Sequence, residues 1–128
     1  MVRKAKRFPA QVQRLQLALM RALPGIRRSA RGRSNRGGGK YMGCFEMADE
    51  IARWFLREHD LDVAPVQGYF QGVDDWYHWW TEAIIDGETW IVDATRHQLN
   101  MHEARFAPAV FWGRKAEHAH DYQTEVAE

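Results

Sequence analysis

Residues 76–95 read WYHWWTEAIIDGETWIVDAT, and the fold turns on how they pair. Residues 76–85 are rich in aromatic and β-branched side chains, and residues 88–93 resume the pattern after Asp86-Gly87. Asp-Gly is a strong two-residue hairpin signal, because both turn positions need positive φ. With those two residues as the loop, Ile85 pairs with Glu88 and the register follows. His78 then lies opposite Thr95 and Trp80 opposite Asp93, all on one face, with Glu82 and Ile91 further along it. His78 and Asp93 become diagonal neighbours within reach of each other's side chains. A histidine beside a carboxylate on rigid strands is half of a catalytic site. Upstream, Cys44, the single cysteine of the chain, opens a predicted helix. The expectation is a Cys44–His78–Asp93 triad.

A chain of 128 residues reads as one domain, 1–128. Six Trp and six Phe supply large units for a core. One cysteine forbids an intramolecular disulfide and favours a reducing compartment. No apolar run is long enough to span a bilayer. The first 23 residues have a basic front and a partly apolar middle, but Gln11, Gln13, Arg14, Gln16 and Arg21 interrupt it, so it fails as a signal-peptide core. These features predict a cytoplasmic protein without a membrane partner.

The net charge of +1 hides an asymmetry. Residues 1–40 hold twelve of the eighteen Lys and Arg and no acid, so the remaining six face all seventeen acids, +12 against −11. A basic arm of this kind sits on an acidic body or meets an acidic partner or nucleic acid.

Residues 9–23 read as a basic N-terminal helix, with Val12, Leu15, Leu19 and Leu23 at helical spacing and Pro24-Gly25 as its stop. Residues 27–40, RRSARGRSNRGGGK, offer no apolar anchor and read as a mobile Arg/Gly-rich loop. No aromatic is interleaved among the arginines, so a nucleic-acid stacking surface is only weakly indicated. A second helix is predicted over 43–58, with Cys44, Met47, Ala48, Ile51 and Phe55 on one face. Strands follow over 63–72, in the hairpin, and over 107–112, the last an edge strand because Pro108 lacks a donor. Residues 117–128 are polar and read as a fraying end. His118-x-His120-Asp121 has metal-ligand spacing without a second cluster, a weak signal, so neither a metal nor a cofactor is expected. The catalytic-like core is 41–112. The fold class is α+β, with helices packed on one face of a small antiparallel sheet.

A thiol becomes a good nucleophile once deprotonated, and a helix N-terminus and a neighbouring imidazolium both promote that. Cys44 follows Gly43 at a helix start, and its apolar face points it at the sheet. Asp93 would fix the imidazole tautomer. The Cys44 N–H, with one from residues 40–43, would hold an oxyanion. Taken singly, each residue has a plainer role: Cys44 as a small buried hydrophobe, His78 as a satisfied core histidine, Asp93 as a cap on the following turn. The conjunction raises the catalytic reading. Trp80 is placed to shield the His–Asp contact, and Trp76, Tyr77, Trp80 and Gln98 are the candidate substrate-binding residues.

These residues carry a family resemblance over roughly 41–100. Gly43-Cys44, then His78-Trp79-Trp80-Thr81-Glu82, then Asp86-Gly87 with Trp90-Ile91-Val92-Asp93-Ala94-Thr95, resemble the transglutaminase-like core of the papain-like cysteine-enzyme superfamily. That core looks like G-C at a helix start, H-x-W-x-E on a strand, and D-G-x-W-x-x-D-x-T on the next. The resemblance implies a papain-like/transglutaminase-like fold in which Cys44 is nucleophile, His78 general base and acid, and Asp93 orienter. The family includes peptidases, protein cross-linking enzymes, glutamine deamidases and proteins that have lost activity. The 27–40 segment is not part of its pattern. The expectation is a cysteine hydrolase or acyltransferase acting on an amide or peptide carbonyl of a peptide or protein. The alternatives are a catalytically silent binding protein on the same fold and a nucleic-acid-binding protein using the basic arm.

Overall fold

In the computed structural model, which describes residues 7–36, 43–99 and 108–127, Asp86 and Gly87 have φ of 52° and 77°. The two-residue loop therefore takes the mirror-image turn that suits strand twist. It joins β2 (Tyr77–Ile85) to β3 (Glu88–Asp93) with Ile85 opposite Glu88, Glu82 opposite Ile91 and Thr81 opposite Val92. This is the register read from the sequence. The strand before it, β1 (Asp62–Phe70), pairs antiparallel with β2, and β4 (Phe111–Arg114) pairs with the outer side of β3. A two-residue strand, β5 (Tyr122–Gln123), adds to the outer side of β1. The order is β4-β3-β2-β1-β5, all antiparallel.

Two helices cover one face of this sheet, an α+β arrangement. Helix α2 (Cys44–His59) buries Met47, Ala48, Ile51, Ala52, Trp54 and Phe55. Its long partner, α1 (Ala10–Arg36), buries Val12, Leu15, Leu19, Leu23, Ile26 and Ala30. Both pack into one apolar cluster with Ala83, Ile85, Trp90, Val92 and Trp112 of the sheet. Phe8, just before α1, stands edge-on to Trp90 at 4.8 Å.

The opposite face closes on itself. Phe70, Trp80, Ile91, Leu99 and Tyr122 form a second cluster. Tyr122 belongs to one edge of the sheet, yet its ring stacks on Phe111 at the other edge, 5.7 Å away. The sheet is therefore strongly curled, and its two edges approach over this second core.

Three expectations are corrected. Helix α1 does not stop at Pro24-Gly25 but runs through both to Arg36. A proline inside a helix costs about 3 kcal/mol. The apolar stripe continues across it, however, through Ile26 and Ala30, which are 7% and 0% exposed, and their burial offsets that cost. The 27–36 part of the segment read as a mobile loop is thus helix. It is docked, because Arg33 bridges Asp49 at 2.7 Å and Glu50 at 3.1 Å on α2; residues 37–40 lie outside the described residues. The polar end read as fraying instead contributes β5, with Tyr122 3% exposed. The edge strand lies beyond Pro108, at Phe111–Arg114, and Ala107 lies outside the described residues. No described helix is long and apolar enough to cross a membrane.

Ile26→Ala measures the docking of the second half of α1. It should lower unfolding free energy by about 2–4 kcal/mol in urea titration, the range for deleting buried aliphatic atoms. An undocked arm would give a change near zero.

Candidate active site

Gly43 has φ of 78° and caps α2 without a side-chain hydrogen bond. A left-handed entry of this kind favours glycine, and it sets Cys44 as the first residue of the helix. The start of α2 lies beside the start of β2. Phe45 meets Trp79 edge-on at 4.8 Å, and the Thr81 hydroxyl donates to the Ala48 carbonyl at 2.8 Å. Cys44 is free and partly exposed.

Behind it, His78 and Asp93 are 2% and 1% exposed. His78 Nε2 lies 2.8 Å from Asp93 Oδ2, which leaves Nδ1 as the other ring nitrogen. The hairpin register accounts for the pairing, as both residues occupy the same face of adjacent strands. Burial alone pushes the imidazole pKa down. The Asp93 charge, the Asp93 hydrogen bond and the hydrogen bond and charge of the Cys44 side chain together outweigh it, and the pKa rises to about 9. The ring is thus held as imidazolium at neutral pH, with Asp93 at its Nε2.

Burial likewise pushes the Asp93 carboxyl up, but the His78 charge and a full set of donors hold it below its ordinary value. The Tyr122 hydroxyl donates to Oδ2 at 2.9 Å. The Thr95 N–H and hydroxyl donate to Oδ1 at 2.9 and 3.3 Å. With His78, four donors saturate the carboxylate. Asp93 therefore has both roles considered for it: it caps the turn after β3 and pairs with the histidine. Burial and the Asp93 charge push the Tyr122 hydroxyl well above the usual phenol range, so it is neutral and donates.

Tyr122 was not legible as a site residue, since a lone tyrosine in a polar C-terminal stretch has no pattern that marks it. It is held by a cage of its own. Arg96 lies over Phe70, Phe111 and Tyr122 at 5.0, 4.4 and 5.8 Å from the ring centres, and it pairs with Asp121 at 3.4 Å. Gly68 on β1 faces His78 across the strands. A Cβ there would collide with the Trp80 ring and the Gln123 carbonyl, so this glycine lets β5 close over the site.

The candidate substrate residues separate. Trp80 is 1% exposed, tilted against His78 at 6.4 Å and edge-on to Tyr122 at 5.0 Å. Its indole N–H donates to Glu82, which Lys115 also holds. It shields the His–Asp pair and offers no surface to a substrate, a correction to its expected binding role. Tyr77 is exposed and Trp76 half-buried. Tyr77 stands edge-on to Tyr69 and accepts the Trp79 indole N–H. Gln98 is exposed and lines a cleft of about 280 Å³ with Arg27, Arg31, Met47, Thr95 and His97. Residues 40–42, expected to lend an oxyanion donor, lie outside the described residues. His118 packs on Phe111 and Asp121 pairs with Arg96. Among the described residues no cluster of three metal-ligating side chains occurs.

Comparison of the chain with protein-family models, with curated proteins and with solved structures gives no match in any of the three.

The buried pair should make stability depend on pH. Below pH 6.5 histidine is protonated in both folded and unfolded chains, and the pair stabilises fully. Between 6.5 and about 9 the folded protein keeps a proton that the unfolded chain has lost, so stability falls as pH rises. The whole shift corresponds to about 3 kcal/mol. At the acid end the depressed Asp93 acts oppositely: its contribution is present above the ordinary 3.8 and is lost as pH falls through its folded value. Denaturant titrations from pH 6 to 9.5 should show this downward slope in wild type and a flatter one in His78→Gln. Tyr122→Phe removes one donor to the carboxylate and should cost about 1.5–3 kcal/mol.

Proposed function

We propose that the protein is a cysteine-dependent acyl-transfer enzyme acting on an amide or peptide carbonyl, with Cys44 as nucleophile, His78 as proton carrier and Asp93 as orienter. The observation that carries this reading is a partly exposed cysteine at a helix start, near enough to a buried imidazole to help raise its pKa, with one ring nitrogen held 2.8 Å from a saturated carboxylate. A core histidine needs only a hydrogen-bond partner. Here the ring is built to carry a positive charge near a partly exposed cysteine.

The steps follow from that arrangement. Cys44 and His78 share one proton, which His78 holds as imidazolium beside Asp93, so the sulfur reacts as thiolate. The sulfur attacks the carbonyl carbon, and the carbonyl π electrons move onto oxygen. The first backbone N–H groups of α2 point from the helix start, where developing negative charge is favoured. Collapse re-forms the carbonyl and breaks the C–N bond, and His78 gives its proton to the leaving amine. The resulting thioester is attacked by water or by an amine, with His78 accepting that nucleophile's proton and returning it to the departing sulfur. With water the outcome is peptidase or deamidase chemistry; with an amine it is transglutaminase-like. The burial of Trp80 over the pair keeps water from the His78–Asp93 contact and so strengthens it.

The pH profile of alkylation tests this. Iodoacetamide should modify Cys44 with a rate that persists below the ordinary thiol pKa of about 8.5. His78→Ala should return the profile toward that of a free thiol. Asp93→Ala should do so less, because it loosens the ring without removing it. Superimposable profiles for wild type and His78→Ala would refute the catalytic role.

A further inference from the structure

The cleft lined by Arg27, Arg31, Met47, Thr95, His97 and Gln98 borders on neighbours of the proposed catalytic residues. Met47 follows Cys44 by three residues on α2, so the two share a helix face. Thr95 is bonded directly to Asp93 through its N–H and its hydroxyl. Across from these, α1 presents Arg27 and Arg31, four residues apart and hence side by side. Two guanidinium groups at that spacing repel each other unless an anion lies between them.

The body of the protein has carboxylates to spare for α1, and they go elsewhere. Arg33, two residues on, takes both Asp49 and Glu50. Asp121 goes to Arg96, and Glu88 and Glu117 to Arg114. Among the described residues neither Arg27 nor Arg31 is paired with a carboxylate. The cleft adds the Gln98 amide to the two cations, with Met47 and Thr95 also in its lining.

We propose that this cleft binds a carboxylate of the substrate, so that the enzyme acts on an amide whose neighbouring group is acidic. The inference rests on the reading of Cys44 as nucleophile for its catalytic meaning. A guanidinium pair matches the planar, two-oxygen shape of a carboxylate. Among the described residues no Trp, Tyr or Phe lines the cleft to stack on a nucleotide base, so a peptide carboxylate is favoured over nucleic acid. The two arginines select the substrate, from a cleft whose Met47 stands one helical turn from Cys44 on α2.

Two measurements on the full chain test it. In the first, wild type and the double variant Arg27→Gln/Arg31→Gln are alkylated with iodoacetate, which carries a carboxylate, and with neutral iodoacetamide. The ratio of the two rates should fall about tenfold in the double variant, and the wild-type ratio should itself fall as salt is raised. A ratio equal in the two proteins overturns the proposal. In the second, the His97 ring signals are followed by NMR during addition of N-acetylglutamine, whose carboxylate is terminal, or N-acetylglutamic α-amide, whose carboxylate is on the side chain. Either compound should shift His97 in wild type and much less in the double variant, and the stronger of the two identifies the kind of carboxylate. No shift with either, or a shift only with a single-stranded oligonucleotide, overturns the proposal. If both reagents alkylate slowly and His78→Ala changes nothing, the nucleophile reading fails, and the His97 titration still decides whether the cleft binds a carboxylate.

Discussion

One buried carboxylate organises this molecule. Asp93 is 1% exposed, and a carboxylate in such a place is costly unless charge and hydrogen bonds compensate it. Its four hydrogen bonds come from three residues in different parts of the chain: His78 from β2, Thr95 from the turn after β3, and Tyr122 from β5. Each partner constrains an element. The hairpin must keep its register, the turn must close, and the C-terminal strand must cross the sheet. Removing any of them leaves a buried oxygen short of a donor.

That requirement accounts for the curl of the sheet. A flat sheet in the order β4-β3-β2-β1-β5 would keep Tyr122 apart from Asp93 by two intervening strands. Curling brings the edges together, so that Phe70, Trp80, Phe111 and Tyr122 pack around the charged pair. Arg96 fills the middle of this aromatic group. The low-polarity surroundings strengthen the His78–Asp93 contact, and the helix-covered face of the same strands anchors α2, whose first residue is Cys44. The two cores have separate tasks: one positions the helix, the other insulates the pair.

The reach of sequence reasoning differs between elements for physical reasons. The hairpin was legible because a two-residue turn has strict backbone demands, and side-chain alternation then fixes every face along both strands. His78 and Asp93 followed from it. Helix α2 was legible from its apolar spacing. Helix α1 was misread at its second half because Pro24-Gly25 is a strong local stop, whereas the burial of Ile26 and Ala30 is a non-local gain. Trp80 was misassigned as a binding residue because alternation tells which face a side chain occupies and not whether another strand covers that face.

By itself, then, the sequence determined the α+β class, the helix start at Gly43-Cys44, and the register that sets His78 beside Asp93. All of these depend on interactions within a few residues or across one tight turn. Only the tertiary structure decided that Tyr122 completes the carboxylate, that Arg96 braces it, that α1 continues past its proline, and that Arg27 and Arg31 line a cleft next to Thr95. Those contacts join segments tens of residues apart, through the curl of a sheet and the docking of one helix on another. No periodicity in the chain encodes them, because they arise only when every apolar face has found its cover.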